Sequence, residues 1–290
     1  MIIVLTGPTG SGKSEMAISL AKRLGAVIVN ADAFQVYQEL NIATAKPSES
    51  MMMEAPHYLF DFVPLTSSYN VYEYQKDLRA TIAEQEKQGK DIIIAGGTGL
   101  YIRAGLYDYE FEESAEIDLS AYEKLNNAAL HDALAKLDPK EAEAIHPNNR
   151  VRVMRAIAVT LSSGKKKSEM VAEQEHKPIY DVRFYGIEAE REDVYAHCDA
   201  RVEKMFEAGL LTETKTLVEK YGREAAAFRA IGVKELFPYF DGTISLEQAK
   251  EEIKKATRHY VKRQMTFFRH QFDIHWIEDE EEIIADLRGK

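Results

Sequence analysis

Residues 1–14 read MIIVLTGPTGSGKS, and this stretch decides the fold. The apolar run at 1–5 is rich in β-branched residues and is bounded by Gly7 and Pro8, which is typical of a buried parallel strand. Residues 7–14 match the pattern G-x-x-x-x-G-K-[ST], and apolar residues at helical spacing follow directly, up to Gly25. The sequence therefore predicts a strand, a phosphate-binding loop (P-loop) and a helix, in that order.

The residue types of this loop suit a phosphate ligand. Glycines let the backbone approach a phosphate closely with its N–H groups, and the start of the following helix adds partial positive charge. Lys13 adds a full charge, and the hydroxyl of Ser14 is placed where this motif holds Mg²⁺, so we expect Mg²⁺ as the cofactor. The predicted phosphate-binding residues are Gly7, Thr9, Gly10, Ser11, Gly12, Lys13 and Ser14. The alternative is a glycine-rich turn without a ligand.

Further apolar runs alternate with helical patterns along the chain. Strands are expected at 26–29, 91–95, 182–187 and 275–277, and this alternation predicts an α/β fold with a parallel sheet flanked by helices. Only helical patterning is found from 119 to 163, after an acidic segment at 110–118. We therefore expect a core formed by 1–115 and 180–290, a helical insertion domain at 116–179, and a basic C-terminal helix at about 246–270.

Composition restricts the class of protein. The chain of 290 residues has a net charge of −11, which argues against a protein that coats nucleic acid over its whole surface. Cys198 is the only cysteine, so an internal disulfide and a cysteine-rich zinc site are excluded. No apolar run is long enough to span a membrane. These features predict a cytoplasmic protein.

Two polar positions at the expected ligand edge of the sheet are candidates for chemistry. Asp32 follows the second strand, where it is either a general base or indirect Mg²⁺ ligand, or a turn aspartate. The third strand ends at Ala95 without an acid, which counts against a motor or switch NTPase. Thr98 lies in the glycine-rich segment 96–99, which is either a second phosphate-approach loop or a packing turn.

Two segments are strongly basic although the chain is acidic. Residues 150–167 contain six Lys and Arg and no acid, and residues 250–270 contain seven Lys and Arg against two Glu. Lys254, Arg258 and Lys262 recur every four residues, so they share one face of a helix, and aromatic residues are interleaved with them. The pattern suits an RNA backbone with unstacked bases, and the alternative is an ordinary solvated helix face.

Eight stretches in order resemble the tRNA dimethylallyltransferase family over nearly the whole chain. They are GPTGSGKS at 7–14, DAFQVY at 32–37, NIATAKP at 41–47, PHYLFDFVP at 56–64, GGTGLY at 96–101, HPNNRVRVMRAI at 146–157, FRAIGVKE at 228–235 and TRHYVKRQMTFFR at 257–269. With one cysteine the chain cannot form the zinc finger of some eukaryotic relatives, so it resembles the bacterial type. Ala33 stands where the family commonly has serine, and Phe267 where it often has tryptophan.

The resemblance implies a P-loop NTPase-like fold and the transfer of a dimethylallyl group from dimethylallyl diphosphate to N6 of adenosine 37, beside the tRNA anticodon. It implies that Asp32 is the general base, that Thr98 and Arg229 stabilise the diphosphate oxygens, and that Lys13 and Ser14 serve the diphosphate and its Mg²⁺. Together with the basic helix face, the expected tRNA-binding residues are Asp32, Ala33, Phe34, Gln35, Thr98, Arg152, Arg155, Lys254, Arg258 and Lys262. The expected partners are dimethylallyl diphosphate and the anticodon stem-loop of tRNA, bound by a monomer without an obligate protein partner.

Two other functions stay open at this stage. A P-loop kinase for a small molecule or nucleotide would use Asp32 to activate a hydroxyl, with Arg150, Arg152 and Arg155 in a closing lid. A non-catalytic RNA-binding protein would use a nucleotide only as a ligand.

Overall fold

The computed structural model describes residues 1–109, 111, 117–172 and 175–289. Within these residues one sheet of six strands has the order β3-β2-β4-β1-β5-β6, and every pairing is parallel. The strands are β1 Ile2–Thr6, β2 Val27–Asn30, β3 His57–Tyr58, β4 Ile92–Ala95, β5 Val182–Ile187 and β6 His275–Ile277. The prediction of a parallel α/β sheet is confirmed. The two-residue strand β3 was not expected, because so short a segment carries no periodicity.

The first strand lies inside the sheet. Val4 of β1 pairs with Ile94 on one side and with Phe184 on the other, and all five residues of β1 are buried. Buried parallel strands with helices on both faces have continuous apolar sequences, which explains the run at 1–5. The P-loop that follows β1 therefore lies at the carboxyl edge of the sheet, next to the ends of β4 and β5.

Helices account for most of the remaining described residues. They are α1 Lys13–Leu24, α2 Glu49–Glu54, α3 Val71–Lys87, α4 Gly99–Leu106, α5 Ser120–Glu123, α6 Asn127–Leu137, α7 Pro139–Ala144, α8 Arg150–Ser163, α9 Lys167–Ala172, α10 Arg191–Glu207, α11 Leu210–Tyr221, α12 Phe237–Phe240, α13 Leu246–Gln271 and α14 Glu280–Arg288, with 3₁₀ turns at Ala226–Arg229 and Lys234–Leu236. The long helix α13 begins with a capping box, in which Ser245 and Gln248 each satisfy a backbone N–H of the other.

Two hydrophobic clusters in the core support the site. One joins β-strand residues such as Ile3, Leu5 and Ile28 to α1 and α14. The other joins the segment after β2 to α10, α11 and the first half of α13, and includes the buried residues Leu210 and Ile253. Phe34 of the turn at 31–35 packs against the second of these clusters.

The chain divides into two compact units, residues 1–106 with 180–290 and residues 107–179. The expected boundary at 115/116 lies outside the described residues, as do Glu110, Glu112, Glu113 and Glu116 of the acidic segment. The second unit has helices throughout its described part and its own buried core, formed by Leu130, Leu134, Ala142, Ile145, Val153, Ala156 and Ile157. An isolated antiparallel bridge between Tyr107 and Pro178 closes its two ends.

Candidate active site

The P-loop wraps around its own lysine. Gly10 and Gly12 both have a φ of 80°, a left-handed conformation that favours glycine, and Gly12 caps the start of α1. The Nζ of Lys13 donates a hydrogen bond to the carbonyl of Pro8 at 2.6 Å. A bound phosphate would replace this carbonyl as the acceptor of the Lys13 ammonium group, because a hydrogen bond from a cation to an anion is stronger than one to a neutral carbonyl.

The environment of Lys13 is unusually poor in compensating charge. Burial, followed by the positive charge of Arg201, lowers the pKa of Lys13 to about 8. The carboxylate of Asp32 acts in the opposite direction. Binding of an anion to such a buried lysine is favourable, as a phosphate-binding site requires.

Two serine hydroxyls of the loop belong to the same site. The Oγ of Ser11 is buried and has no hydrogen-bond partner among the described residues, so it is an orphaned donor facing the loop. Ser14 lies in the first turn of α1, and both serines line a cleft of about 990 Å³. An oxygen-rich anion in this cleft would accept a hydrogen bond from the Ser11 hydroxyl.

The cleft brings most of the sequence-predicted residues together. Its walls include the following candidates: Thr9, Gly10, Ser11, Gly12, Lys13, Ser14, Asp32, Phe34, Gln35 and Arg229. The predicted residues Gly7, Ala33 and Thr98 are not among its lining residues, although Ala33 and Thr98 are partly exposed. Gly7 is buried and packs against Ser11 and Ile187, where an added Cβ would be 3.2 Å from the Ser11 hydroxyl.

Asp32 has the contacts of a turn aspartate and also lines the cleft. Its Oδ1 accepts hydrogen bonds from the backbone N–H groups of Phe34 at 2.9 Å and Gln35 at 3.3 Å, so it is a turn aspartate. Its carboxylate also lines the cleft, and Oδ2 has no hydrogen-bond partner in the described part of the chain. One oxygen therefore orients the group, and the other is available to accept a proton.

The residues beside Asp32 stabilise the turn. The side chain of Asn30 accepts from the backbone N–H of Asp32 at 2.8 Å and donates to the carbonyls of Asp32 and Leu59. The side-chain nitrogen of Gln35 donates to the carbonyls of Thr44 at 3.0 Å and Ala45 at 3.2 Å. Gln35 thus joins the turn to the segment 41–47, so both matched stretches form one wall of the cleft.

The glycines of the segment 96–99 are needed for packing. A Cβ at Gly96 would overlap the backbone of Ala31, one at Gly97 the side chain of Gln264, and one at Gly99 the ring of Phe267. Thr98 differs from them, because its Oγ1 accepts a hydrogen bond from the backbone N–H of Ala33 at 3.1 Å. Close packing thus accounts for these glycines, and the threonine joins two loops of the site.

Several cleft residues escaped the sequence analysis. Tyr260 and Gln264 are four residues apart on α13, and the Gln264 side chain contacts both the backbone N–H of Thr9 at 3.0 Å and the carbonyl of Gly97 at 2.9 Å. Burial raises the pKa of the Tyr260 phenol, and the Asp32 carboxylate acts in the same direction. Both residues occur in the stretch 257–269. Their separation by four residues, which places them on one face of a helix, was the sequence signal that could have identified them. Arg201 of α10 also lines the cleft, and nothing in its sequence neighbourhood indicates this.

The basic face of α13 is largely neutralised inside the core unit. Lys254 forms ion pairs with Glu203 at 2.7 Å and Glu251 at 2.9 Å, and Arg258 contacts both oxygens of Asp199 at 2.6 Å. Acids four residues apart on α10 therefore match cations four residues apart on α13. Lys262 is exposed and has no ion pair among the described residues. Of the three cations predicted to contact RNA, Lys254 and Arg258 are thus ion-paired in this structure and Lys262 has no such partner among the described residues.

In the unit 107–179, the arginines of α8 have different environments. Arg152 and Arg155 are exposed and have no ion pair within the described residues. Arg150 instead donates to the carbonyls of Leu125 and Glu123, both at 2.6 Å, so it holds the segment before α6. Arg152 and Arg155 are consequently free to meet a phosphate, and Arg150 is not.

The fold and the site define an α/β enzyme of the P-loop class, in which a carboxylate faces the phosphate loop across a cleft. None of the helices in the described part of the chain combines the length and apolar character of a membrane span.

Comparisons with known proteins identify the family. The IPP transferase family model matches residues 35–271. The tRNA dimethylallyltransferase of Anoxybacillus flavithermus is 41% identical over 289 residues, covering 99% of this chain and 93% of that protein. The tRNA dimethylallyltransferase of Bacillus subtilis is 39% identical over 296 residues, covering 100% and 94%.

Solved structures agree with this assignment. A tRNA isopentenylpyrophosphate transferase from Staphylococcus epidermidis superimposes with a TM-score of 0.74 at 39% identity, covering 99% of this chain and 98% of that one. A eukaryotic dimethylallyltransferase acting on tRNA superimposes with a TM-score of 0.84 at 27% identity, covering 99% and 77%. The chain belongs to the tRNA dimethylallyltransferase family, as its motifs predicted, and the similarities do not favour the kinase alternative.

Proposed function

We propose that the protein transfers the dimethylallyl group of dimethylallyl diphosphate to N6 of adenosine 37 in tRNA, and releases diphosphate. The observation that carries this proposal is the position of Asp32 and the P-loop in one cleft. A proton acceptor on one wall and an anion-binding loop on the other are what a displacement of diphosphate by an amine requires. We place this reaction in the cytoplasm and propose no obligate protein partner.

The acceptor amine needs a base. The lone pair of an exocyclic adenine nitrogen is delocalised into the ring, so this nitrogen is a poor nucleophile. Its N–C bond to the prenyl carbon forms as the C–O bond to diphosphate breaks, and the N–H proton passes to a carboxylate within about 3 Å. Oδ2 of Asp32 is the proposed acceptor, because Oδ1 already accepts two backbone N–H groups.

The leaving diphosphate needs fixed positive charge. Backbone N–H groups of the P-loop, the hydroxyl of Ser11, Lys13 and Arg229 all line the cleft. Fixed donors of this kind stabilise charge that grows in the transition state. Thr98 contributes by holding the backbone of Ala33 beside the cleft.

Mg²⁺ is proposed as the cofactor, bound jointly by protein and diphosphate. The described residues contain no cluster of three or more His, Cys, Asp or Glu side chains that could hold a metal ion by themselves. Mg²⁺ commonly takes one or two protein oxygens and completes its shell with water and ligand phosphates, and the Ser14 hydroxyl in the cleft fits that donor set. The ion would neutralise charge on the departing diphosphate.

The anticodon loop must deliver its base into the cleft. Taking adenosine 37 out of the stack costs a few kcal/mol, which contacts to the tRNA backbone must offset. Arg152, Arg155 and Lys262 are the exposed cations proposed for this role, while Phe34 and Gln35 line the cleft where the base would enter.

The test uses the complete protein, Mg²⁺, labelled dimethylallyl diphosphate and an unmodified anticodon stem-loop with adenosine at position 37. We expect label in the RNA and a mass increase on adenosine 37, and no label when that nucleotide is guanosine. ATP turnover with a small acceptor in the absence of RNA would favour the kinase instead. RNA that binds but keeps its mass would contradict the transfer reaction.

A further inference from the structure

One side chain of α13 bridges the P-loop and the loop that follows β4. The Oε1 of Gln264 accepts a hydrogen bond from the backbone N–H of Thr9 at 3.0 Å, and its Nε2 donates to the carbonyl of Gly97 at 2.9 Å. The side chain is buried, so bulk water does not compete for either contact. Each polar atom of the amide is therefore bonded to a different loop of the site.

The loop after β4 is closely fitted to this amide. A Cβ added at Gly97 would be 2.1 Å from the Nε2 of Gln264, whereas it would be 3.9 Å from the hydroxyl of Tyr260. Gly97 does not have the left-handed φ of Gly10 and Gly12. The close approach of Gln264, and not the backbone conformation, therefore requires glycine at this position.

Thr9, at the P-loop end of the bridge, is held by a second helix as well. The Sγ of Cys198 on α10 donates to the Thr9 carbonyl at 3.3 Å. The N–H and the C=O of this one residue are thus both bonded to side chains from outside the loop. Loss of Gln264 would remove one of these two contacts but would take no charge from the P-loop.

The other end of the bridge leads to Asp32. Thr98, the residue after the bridged glycine, donates its backbone N–H to the carbonyl of Ala31 at 2.9 Å, and its hydroxyl accepts from the N–H of Ala33 at 3.1 Å. The backbone on both sides of Asp32 is therefore bonded to the loop that Gln264 holds. One buried amide connects the phosphate loop with the turn that carries the proposed base.

We infer that Gln264 is a positioning residue, which fixes the distance between the P-loop and the turn of Asp32. This inference rests on the proposed function. The prenyl carbon is attached to the diphosphate while the amine gives its proton to Asp32, so an error in the relative position of the two loops raises the barrier. Glutamine suits this task because its neutral amide can satisfy a backbone N–H and a backbone C=O at once.

The test measures single-turnover transfer at saturating dimethylallyl diphosphate, Mg²⁺ and anticodon stem-loop, and the affinity for each substrate in the absence of the other. Gln264→Met keeps the length of the side chain and removes both hydrogen bonds, so the rate should fall by about 10–100-fold. Donor and RNA affinity should change less than the rate, because the variant removes no charge from the cleft.

The matched control is Gln75→Met. Gln75 is also a buried glutamine whose Nε2 donates to a backbone carbonyl, that of Ala104 at 2.6 Å, but it does not line the cleft. This variant should lower the unfolding temperature and leave the saturating rate within about 2-fold of the unmodified protein, since a packing change far from the site has small effects there.

A double-mutant cycle with Gly97 separates positioning from a general loss of stability. Gly97→Ala places a methyl group where the Nε2 of Gln264 lies, so it should slow transfer by disrupting the same bridge. In Gln264→Ala that space is open, and adding Gly97→Ala should have little further effect. Two substitutions that lowered stability independently would instead have additive effects.

Three results would overturn the inference: an unchanged transfer rate in Gln264→Met, a loss of donor affinity as large as the loss of rate, or additive effects in the cycle. Should Gln264→Met fail to fold, Gly97→Ala tests the bridge from its other side, and a normal rate in that variant would count against it. Failure of the proposed function looks different, because the unmodified protein would then bind both substrates without labelling the RNA.

Discussion

The hydroxyl of Thr98 accepts a hydrogen bond from the backbone N–H of Ala33 at 3.1 Å, and so joins the loops that follow β4 and β2. The backbone N–H of Thr98 in turn donates to the carbonyl of Ala31 at 2.9 Å. Because Asp32 lies between Ala31 and Ala33, these two contacts hold the backbone that carries its carboxylate.

Replacing Thr98 by valine should slow catalysis. Valine keeps the shape but leaves the N–H of Ala33 without its acceptor, so we expect kcat to fall by about 10–100-fold, the effect of losing one well-placed hydrogen bond. Thr98→Ser keeps the hydroxyl and should retain most of the rate. Steady-state kinetics with the anticodon stem-loop measure both. Equal rates for the valine and serine variants would contradict a role for this contact.

Asp32→Asn tests the base directly. The amide oxygen can still accept from Phe34 and Gln35, so the turn should persist while the proton acceptor is lost. We expect turnover to drop by about 10²–10⁴-fold with little change in tRNA affinity. Single-turnover transfer and RNA binding are the measurements, with thermal unfolding as the control for the turn. A near-normal rate would make Asp32 a turn residue only.

Donor affinity should depend on pH through Lys13. The pKa of Lys13 in the free protein is about 8, and bound diphosphate favours the protonated form. The second pKa of a phosphate ester is about 6, so the donor itself keeps a constant charge above pH 7.5. Affinity should therefore be constant between about pH 7.5 and 8 and fall towards tenfold per pH unit above about pH 8. Lys13→Met should bind weakly and lose this dependence, whereas a retained dependence would assign it to another group.

Salt dependence of RNA binding should distinguish the free cations from the paired ones. Lys262→Ala should reduce the slope of log K against log salt by about one unit, and the double variant of Arg152 and Arg155 by about two. Lys254→Ala and Arg258→Ala should change the slope less and lower the unfolding temperature instead, since each breaks an ion pair between α10 and α13. If the Lys254 and Arg258 variants changed the salt slope more than the Lys262 variant, the paired cations would be the ones that contact RNA.

Much of the site's local structure was determined by sequence alone. A β-branched run, a complete phosphate motif and an immediate helical pattern leave few alternatives, and the structure contains β1, the P-loop and α1 where they were expected. The same holds for the helix around 246–270, because its periodicity is a local signal. Asp32 was identified for a similar reason, since the end of a strand in a parallel sheet indicates where a ligand lies.

Only the tertiary structure decided which distant residues complete the site and which charges remain free. Arg201 reaches the P-loop because α10 packs on Thr9, and Gln264 does so because α13 crosses Gly97. Lys254 and Arg258 look as free as Lys262 in sequence, yet acids on α10 neutralise them. The physical reason is that periodicity reports which face of a helix is apolar, whereas the partner of a charge is set by packing between segments far apart in the chain.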